Sequence, residues 1–165
     1  MILALHRHAP GDDAGGPNTV VDEAAGLRWT LSGAPAPGAL LAREVALDPA
    51  TPWLMRHDRV DFQPGGVAHR HTHPGPGIRC LLSGEITIDS EGEVRTYRPG
   101  EAWFEAGPDP VLATTSATEP SAFARVLLLP AEWAGRRTIA YVDPADADKP
   151  KTQKATVFSE RPVVA

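Results

Sequence analysis

Apolar positions in this chain come in short runs, and a Pro or Gly interrupts most windows of helical length, so helical periodicity is nearly absent. The pattern instead predicts strands at about 26–31, 39–47, 53–62, 67–73, 77–82, 85–90, 93–97, 101–105, 111–117 and 122–129. Turn residues such as Pro64-Gly65-Gly66, Ser83-Gly84 and Pro99-Gly100 bound them, and residues 10–18 and 33–38 read as loops. Many short strands at regular spacing imply a sandwich or a barrel. The one helical suggestion is a single turn at Pro130-Ala131-Glu132-Trp133-Ala134, which Gly135 stops. Residues 143–154 are polar and punctuated by Pro, and a last short apolar run follows at 155–158. This tail predicts an arm that packs on the barrel or on a partner subunit.

Length and composition narrow the class. At 165 residues the chain suits one domain with a genuine core, and its 15 glycines and 17 prolines fit many turns between short elements. The net charge is -5 and the basic residues are scattered, which argues against a nucleic-acid-binding stripe. A single cysteine, Cys80, leaves no internal disulfide framework. Met1 to Leu5 is too short for the apolar region of a signal peptide, and no apolar run approaches membrane-spanning length. The expectation is a cytoplasmic protein without a membrane segment.

The sharpest local feature is His69-Arg70-His71-Thr72-His73, which holds three of the chain's six histidines. Residues two apart on a strand share a face, so all three imidazoles are candidates to point the same way and hold a divalent transition metal. In a straight strand the outer pair would stand roughly 13 Å apart, so either one histidine lies outside the metal's immediate ligands or the strand bends near Pro74-Gly75.

The segment Pro64 to Gly84 resembles the first conserved motif of the cupin superfamily: Gly, five residues, His-x-His, three or four residues, Glu, six residues, Gly. Gly65, His71, His73 and Gly84 reproduce that spacing, but the glutamate position holds Gly77. The family's second motif would begin at Gly100, where its Pro, Gly, His and Asn positions fall on Ala106, Pro108, Val111 and Thr115, and no histidine follows His73. The resemblance implies an all-β, cupin-type double-stranded β-helix, or jelly-roll barrel, with short extra N- and C-terminal strands. Residues 1–165 form a single domain in this reading, with a barrel core at about 39–130 and a C-terminal arm at about 131–165. Family members of this kind often pair through N-terminal strands, which implies a homodimer.

The resemblance also implies a metal held by histidines and a glutamate, of which His71 and His73 are the matched pair. Two imidazoles alone hold a metal weakly. His69 and Glu105 are the candidates to complete the set, with His57 and Gln63 behind them; Fe, Ni, Mn and Zn are the candidate ions. Arg79 shares the interior face of position 77, so it is placed either to bind a substrate carboxylate or to pair with Glu101 or Glu105. Trp103 is a candidate to line the cavity mouth, and Cys80, of opposite parity, reads as packing. The first reading is a metal-dependent enzyme of oxygenase, isomerase or hydrolase type that acts on a small molecule with a divalent metal held by the His71/His73 strand. The alternative is a metal-poor, non-catalytic barrel that binds a small ligand or acts as a sensor.

Overall fold

The structure, a computed structural model, describes residues 1–164. Strands carry almost all of it: β1 (Ile2–Arg7), β2 (Thr19–Asp22), β3 (Leu27–Ser32), β4 (Leu41–Glu44), β5 (Trp53–Phe62), β6 (Val67–Thr72), β7 (Gly77–Ser83), β8 (Ile86–Ser90), β9 (Glu93–Tyr97), β10 (Ala102–Glu105), β11 (Val111–Thr115), β12 (Ser121–Pro130), β13 (Ala140–Tyr141) and β14 (Gln153–Pro162). Short 3-10 turns at Ala131–Trp133 and Pro144–Asp148 interrupt the tail. Among the described residues no helix is long and apolar enough to cross a membrane.

Two five-stranded antiparallel sheets, in the orders β10-β7-β12-β5-β14 and β13-β6-β11-β8-β9, face each other as a jelly roll. Their apolar filling joins Val60, Phe62, Leu81, Trp103 and Phe123 to Ala68, Ile86, Ile88, Val111 and Ala113. A third sheet, β2-β3-β1-β4, lies against the outer face of the first. There Leu3, Leu5, Leu27 and Trp29 pack on Met55, Ile78, Cys80, Val126 and Leu128, and Trp29 Nε1 donates to the Ile78 carbonyl at 3.1 Å.

This layering explains β12. Residues Ser121 to Leu129 are buried without a break, because both faces of a central sheet are covered. Phe123 and Arg125 point into the barrel, while Ala124, Val126 and Leu128 meet the third sheet. The strand β3 has one face in solvent and shows strict alternation of buried and half-buried positions.

The tail differs in length from the expected 155–158 run. Strand β14 is ten residues long and pairs with β5 along the sheet edge, with a bulge between Val157 and Ser159. Its side chains are mostly exposed, so backbone pairing rather than a buried face defines it, and its sequence carries no apolar alternation to reveal it. Likewise β1 is a full strand whose partners, β3 and β4, lie in the same chain.

Candidate functional site

A cavity of about 580 Å³ opens between the two facing sheets. Val60, Phe62, Ala68, Ile88, Val111, Ala113 and Phe123 make its apolar wall. One buried polar cluster interrupts that wall: Asp58, His71, His73, Arg79, Glu105 and Arg125.

Strand register sets the cluster. Asp58 on β5 stands opposite Arg125 on β12, and Arg125 stands opposite Arg79 on β7. Two guanidinium groups on neighbouring strands repel, and each is matched by its own carboxylate. Arg125 binds Asp58 through Nε to Oδ1 at 2.7 Å and Nη2 to Oδ2 at 3.1 Å. Arg79 Nη2 lies 2.6 Å from Glu105 Oε2, and its Nη1 donates to the Gly77 carbonyl at 2.8 Å. Burial pulls the Arg79 guanidinium down to about 10, with Glu105 acting in the opposite direction, so it keeps its charge at neutral pH.

Glu105 faces Gly77 directly across the β10–β7 ladder. The carboxylate therefore enters the barrel from the strand beside the position where the family motif places its glutamate. Gly77 itself has no room for a side chain: a Cβ there would strike the Val126 carbonyl oxygen and come within 2.8 Å of Leu127 Cδ2. Gly107 serves the other end of the cluster. It adopts φ +107°, a Cβ there would strike Gly75, and its carbonyl accepts from the His73 amide at 2.8 Å.

The two inner histidines stand edge to face with ring centroids 4.9 Å apart. His71 Nδ1 lies 2.7 Å from the His69 carbonyl, which can only accept, so Nδ1 carries the proton and Nε2 the lone pair. His73 Nδ1 meets Thr138 Oγ1 at 3.2 Å, and Arg125 Nη1, which can only donate, faces its Nε2 at 3.4 Å. Burial lowers the pKa of His71, and it lowers that of His73 well below the ordinary value with the help of Arg125 and Arg79. Both rings are neutral at pH 7.

His69 is not in this cluster. The ladder between β6 and β11 pairs His71 with Val111 but Ala68 with Ala113, so β6 holds one extra residue there. This bulge reverses the facing parity: Ala68 and His71 line the cavity, whereas His69 Nδ1 turns to Asp146 at 3.9 Å. His57 faces the third sheet, where its Nε2 meets Asp22 Oδ2 at 3.1 Å. Trp103 lies behind Glu105 instead of at a mouth. It stacks on Tyr97, meets Phe123 edge to face, and donates from Nε1 to Glu105 Oε1 at 2.9 Å. Both carboxylate oxygens of Glu105 are thereby engaged.

These residues do not fit a divalent ion. Among the described residues no three His, Cys, Asp or Glu side chains converge to hold one. Glu105 is committed to Arg79 and Trp103, a guanidinium faces His73 Nε2, and two buried cations share the space a third would enter. Of the four imidazole nitrogens of His71 and His73, only His71 Nε2 makes no hydrogen bond to a described residue. Sequence reasoning missed Asp58, Arg125 and Thr138. A lone arginine inside the apolar run Ser121–Pro130 was the available signal for Arg125.

Comparison with known proteins bears on this segment. Residues 58–107 match the family model described as Cupin domain. They include Asp58, His71, His73, Arg79 and Glu105, while Arg125 lies beyond them. The chain is similar to the solved structure of an RmlC-like cupin from Shewanella frigidimarina, at 14% identity over 47% of this chain and 68% of that one, with a TM-score of 0.43. It is also similar to the polyketide cyclase RemF from Streptomyces resistomycificus, at 20% identity over 58% of this chain and 64% of that one, TM-score 0.44. A third similar structure is KdgF from a Halomonas species, at 26% identity over 47% of this chain and 70% of that one, TM-score 0.40. The cyclase is thus covered over less than two thirds of its length. No curated protein matches the chain.

Proposed function

We propose, from the match of residues 58–107 to the Cupin domain family, that this chain is a metal-poor cupin barrel that binds a small organic molecule in the cavity between its two facing sheets. One observation carries the reading. Every carboxylate in the buried cluster is already matched by a guanidinium, Glu105 by Arg79 and Asp58 by Arg125. A dication would have to break a buried ion pair and sit beside two arginines, and removing one partner of such a pair costs about 3–5 kcal/mol. An uncharged organic group meets no such penalty. It finds an apolar wall, and His71 offers it a neutral imidazole with a free Nε2 as a hydrogen-bond acceptor.

The competing reading is a metal-dependent small-molecule enzyme of oxygenase, isomerase or hydrolase type. It is favoured by the common tautomer of His71 and His73, each with its Nδ1 proton held by an oxygen, the arrangement seen in metal-ligating histidines. Metal analysis of protein made without a histidine tag separates the two. We expect less than about one Fe, Ni, Mn or Zn per ten chains and no thermal stabilisation by these ions. A metal at a hundred times its dissociation constant adds about 2.7 kcal/mol, a readily measured gain. Near-stoichiometric metal that disappears in a His71→Ala, His73→Ala double variant overturns the proposal.

A further inference from the structure

Six cationic and three anionic side chains line the cavity, in a chain whose net charge is -5. The three acids are used up within the wall: Glu105 by Arg79, Asp58 by Arg125, and Glu160 by Arg56, whose Nε donates to it at 2.6 Å. The remaining cations, Arg136, Arg137 and Lys151, are exposed residues of the chain segment that links β12 to β14 and lines the cavity. None of them pairs with a carboxylate among the described residues. Arg137 Nη2 donates to Tyr141 Oη at 3.3 Å, and Lys151 Nζ donates to the carbonyls of Asp146 and Ala147, each at 2.9 Å. Uncharged acceptors therefore hold two of these side chains in place; Lys151 shares the neighbourhood of Asp146, which Lys149 already binds, while Arg136 and Arg137 have no carboxylate partner among the described residues. Cations gathered around a low-dielectric cleft focus an attractive potential for anions into it.

The cavity thus has two chemistries in series. The rim is cationic and unmatched, and the interior is apolar apart from a cluster whose charges already cancel. A small polar dianion suits neither part, since its inner charge would meet closed ion pairs and hydrocarbon. We propose that the ligand is an amphipathic organic anion, with an apolar ring or chain against Val60, Phe62, Ile88 and Phe123 and one acidic group held at the rim by Arg136, Arg137 and Lys151. This inference rests on the ligand-binding reading above and gives it a substrate class.

Fluorescence titration with two probes tests it. The aromatic sulfonate 1-anilinonaphthalene-8-sulfonate and the uncharged N-phenyl-1-naphthylamine share one ring system and differ in the acidic group. The sulfonate is expected to bind about tenfold more tightly, corresponding to about 1.4 kcal/mol. Its advantage should vanish in about 1 M salt, where the screening length falls to about 3 Å. A triple variant, Arg136→Gln, Arg137→Gln and Lys151→Gln, changes only exposed side chains and should remove the advantage while leaving the amine's affinity unchanged. Ala68→Met or Ala113→Met, which add bulk to the cavity wall, should weaken both probes. Equal affinities in the native chain, an advantage that survives in the triple variant, or sulfonate binding that ignores both wall variants would overturn the inference. If the amine binds as well as the sulfonate, only the anionic class fails; if neither probe binds, the ligand-binding reading fails with it.

Discussion

Glu105→Gln isolates the central contact of the buried cluster. Glutamine keeps the shape of the side chain and an oxygen for the Trp103 Nε1 proton, but it removes the negative charge 2.6 Å from Arg79 Nη2. Arg79 is wholly buried, and neither its Nε nor its Nη2 has an aligned hydrogen-bond acceptor, so the pair is held by charge more than by directed bonds. The more distant Asp58 is already taken by Arg125. Leaving a buried guanidinium uncompensated should cost about 3–5 kcal/mol. For a chain of this size each kcal/mol lowers Tm by about 2–4 °C, so a fall of about 6–20 °C is expected. Urea unfolding followed by tryptophan emission measures the loss directly, and an unchanged slope with denaturant certifies that the unfolded state is the same. An Arg79→Met, Glu105→Gln double variant should recover most of the loss, because it removes the uncompensated buried charge that the single variant leaves. A loss below about 1 kcal/mol, or single and double variants that simply add, would refute the claim that a charged pair is buried here.

Two further outcomes follow from the same cluster. His71 and His73 are neutral in the fold with lowered pKa values, whereas in the unfolded chain they titrate near 6.5. Their contribution to stability is therefore complete above about pH 6.5 and is lost as the pH falls from there toward the folded values, at no more than about 1.4 kcal/mol per pH unit for each ring. Urea midpoints between pH 8 and 5 check this, and a His71→Gln, His73→Gln variant should flatten the slope; a slope unchanged in that variant contradicts it. Gly77→Ala should destabilise the chain by at least about 1–3 kcal/mol, the range for overpacking a closed site, since the new methyl group meets the Val126 carbonyl and Leu127. Thermal unfolding measures it, and a neutral result would mean that the backbone at Gly77 shifts freely.

Much of the fold was legible because it depends on local alternation and turn chemistry. Strands β3 and β5 to β12 lie close to their expected places, since a β-turn or a buried face marks each of them in its own residues. Strand β14 was not, because an edge strand with exposed side chains is defined by the partner it bonds to. Within the site, alternation groups the histidines on one face and sets Arg79 and Cys80 on opposite ones; the resemblance to the cupin motif supplies which face is inward, and His71, His73 and Arg79 do line the cavity while Cys80 packs on the outer sheet. The same rule fails at His69, because the extra residue in β6 exists only in its pairing with β11. A strand's own residues do not state its register.

The charge balance is likewise a tertiary property. The sequence by itself determined an all-β chain of short strands with its histidines alternating along one of them, because side-chain period and turn residues are local, and its resemblance to the cupin motif singled out His71 and His73. Only the assembled sheets decided what those histidines face. Asp58 and Arg125 are 67 residues apart in the chain, and the β5–β12 ladder sets them opposite each other. Glu105 reaches Arg79 because β10 pairs with β7. Each ion pair forms between strands distant in sequence, where burial makes unmatched charge intolerable, and so the structure alone reveals that the carboxylates beside His71 and His73 are already taken.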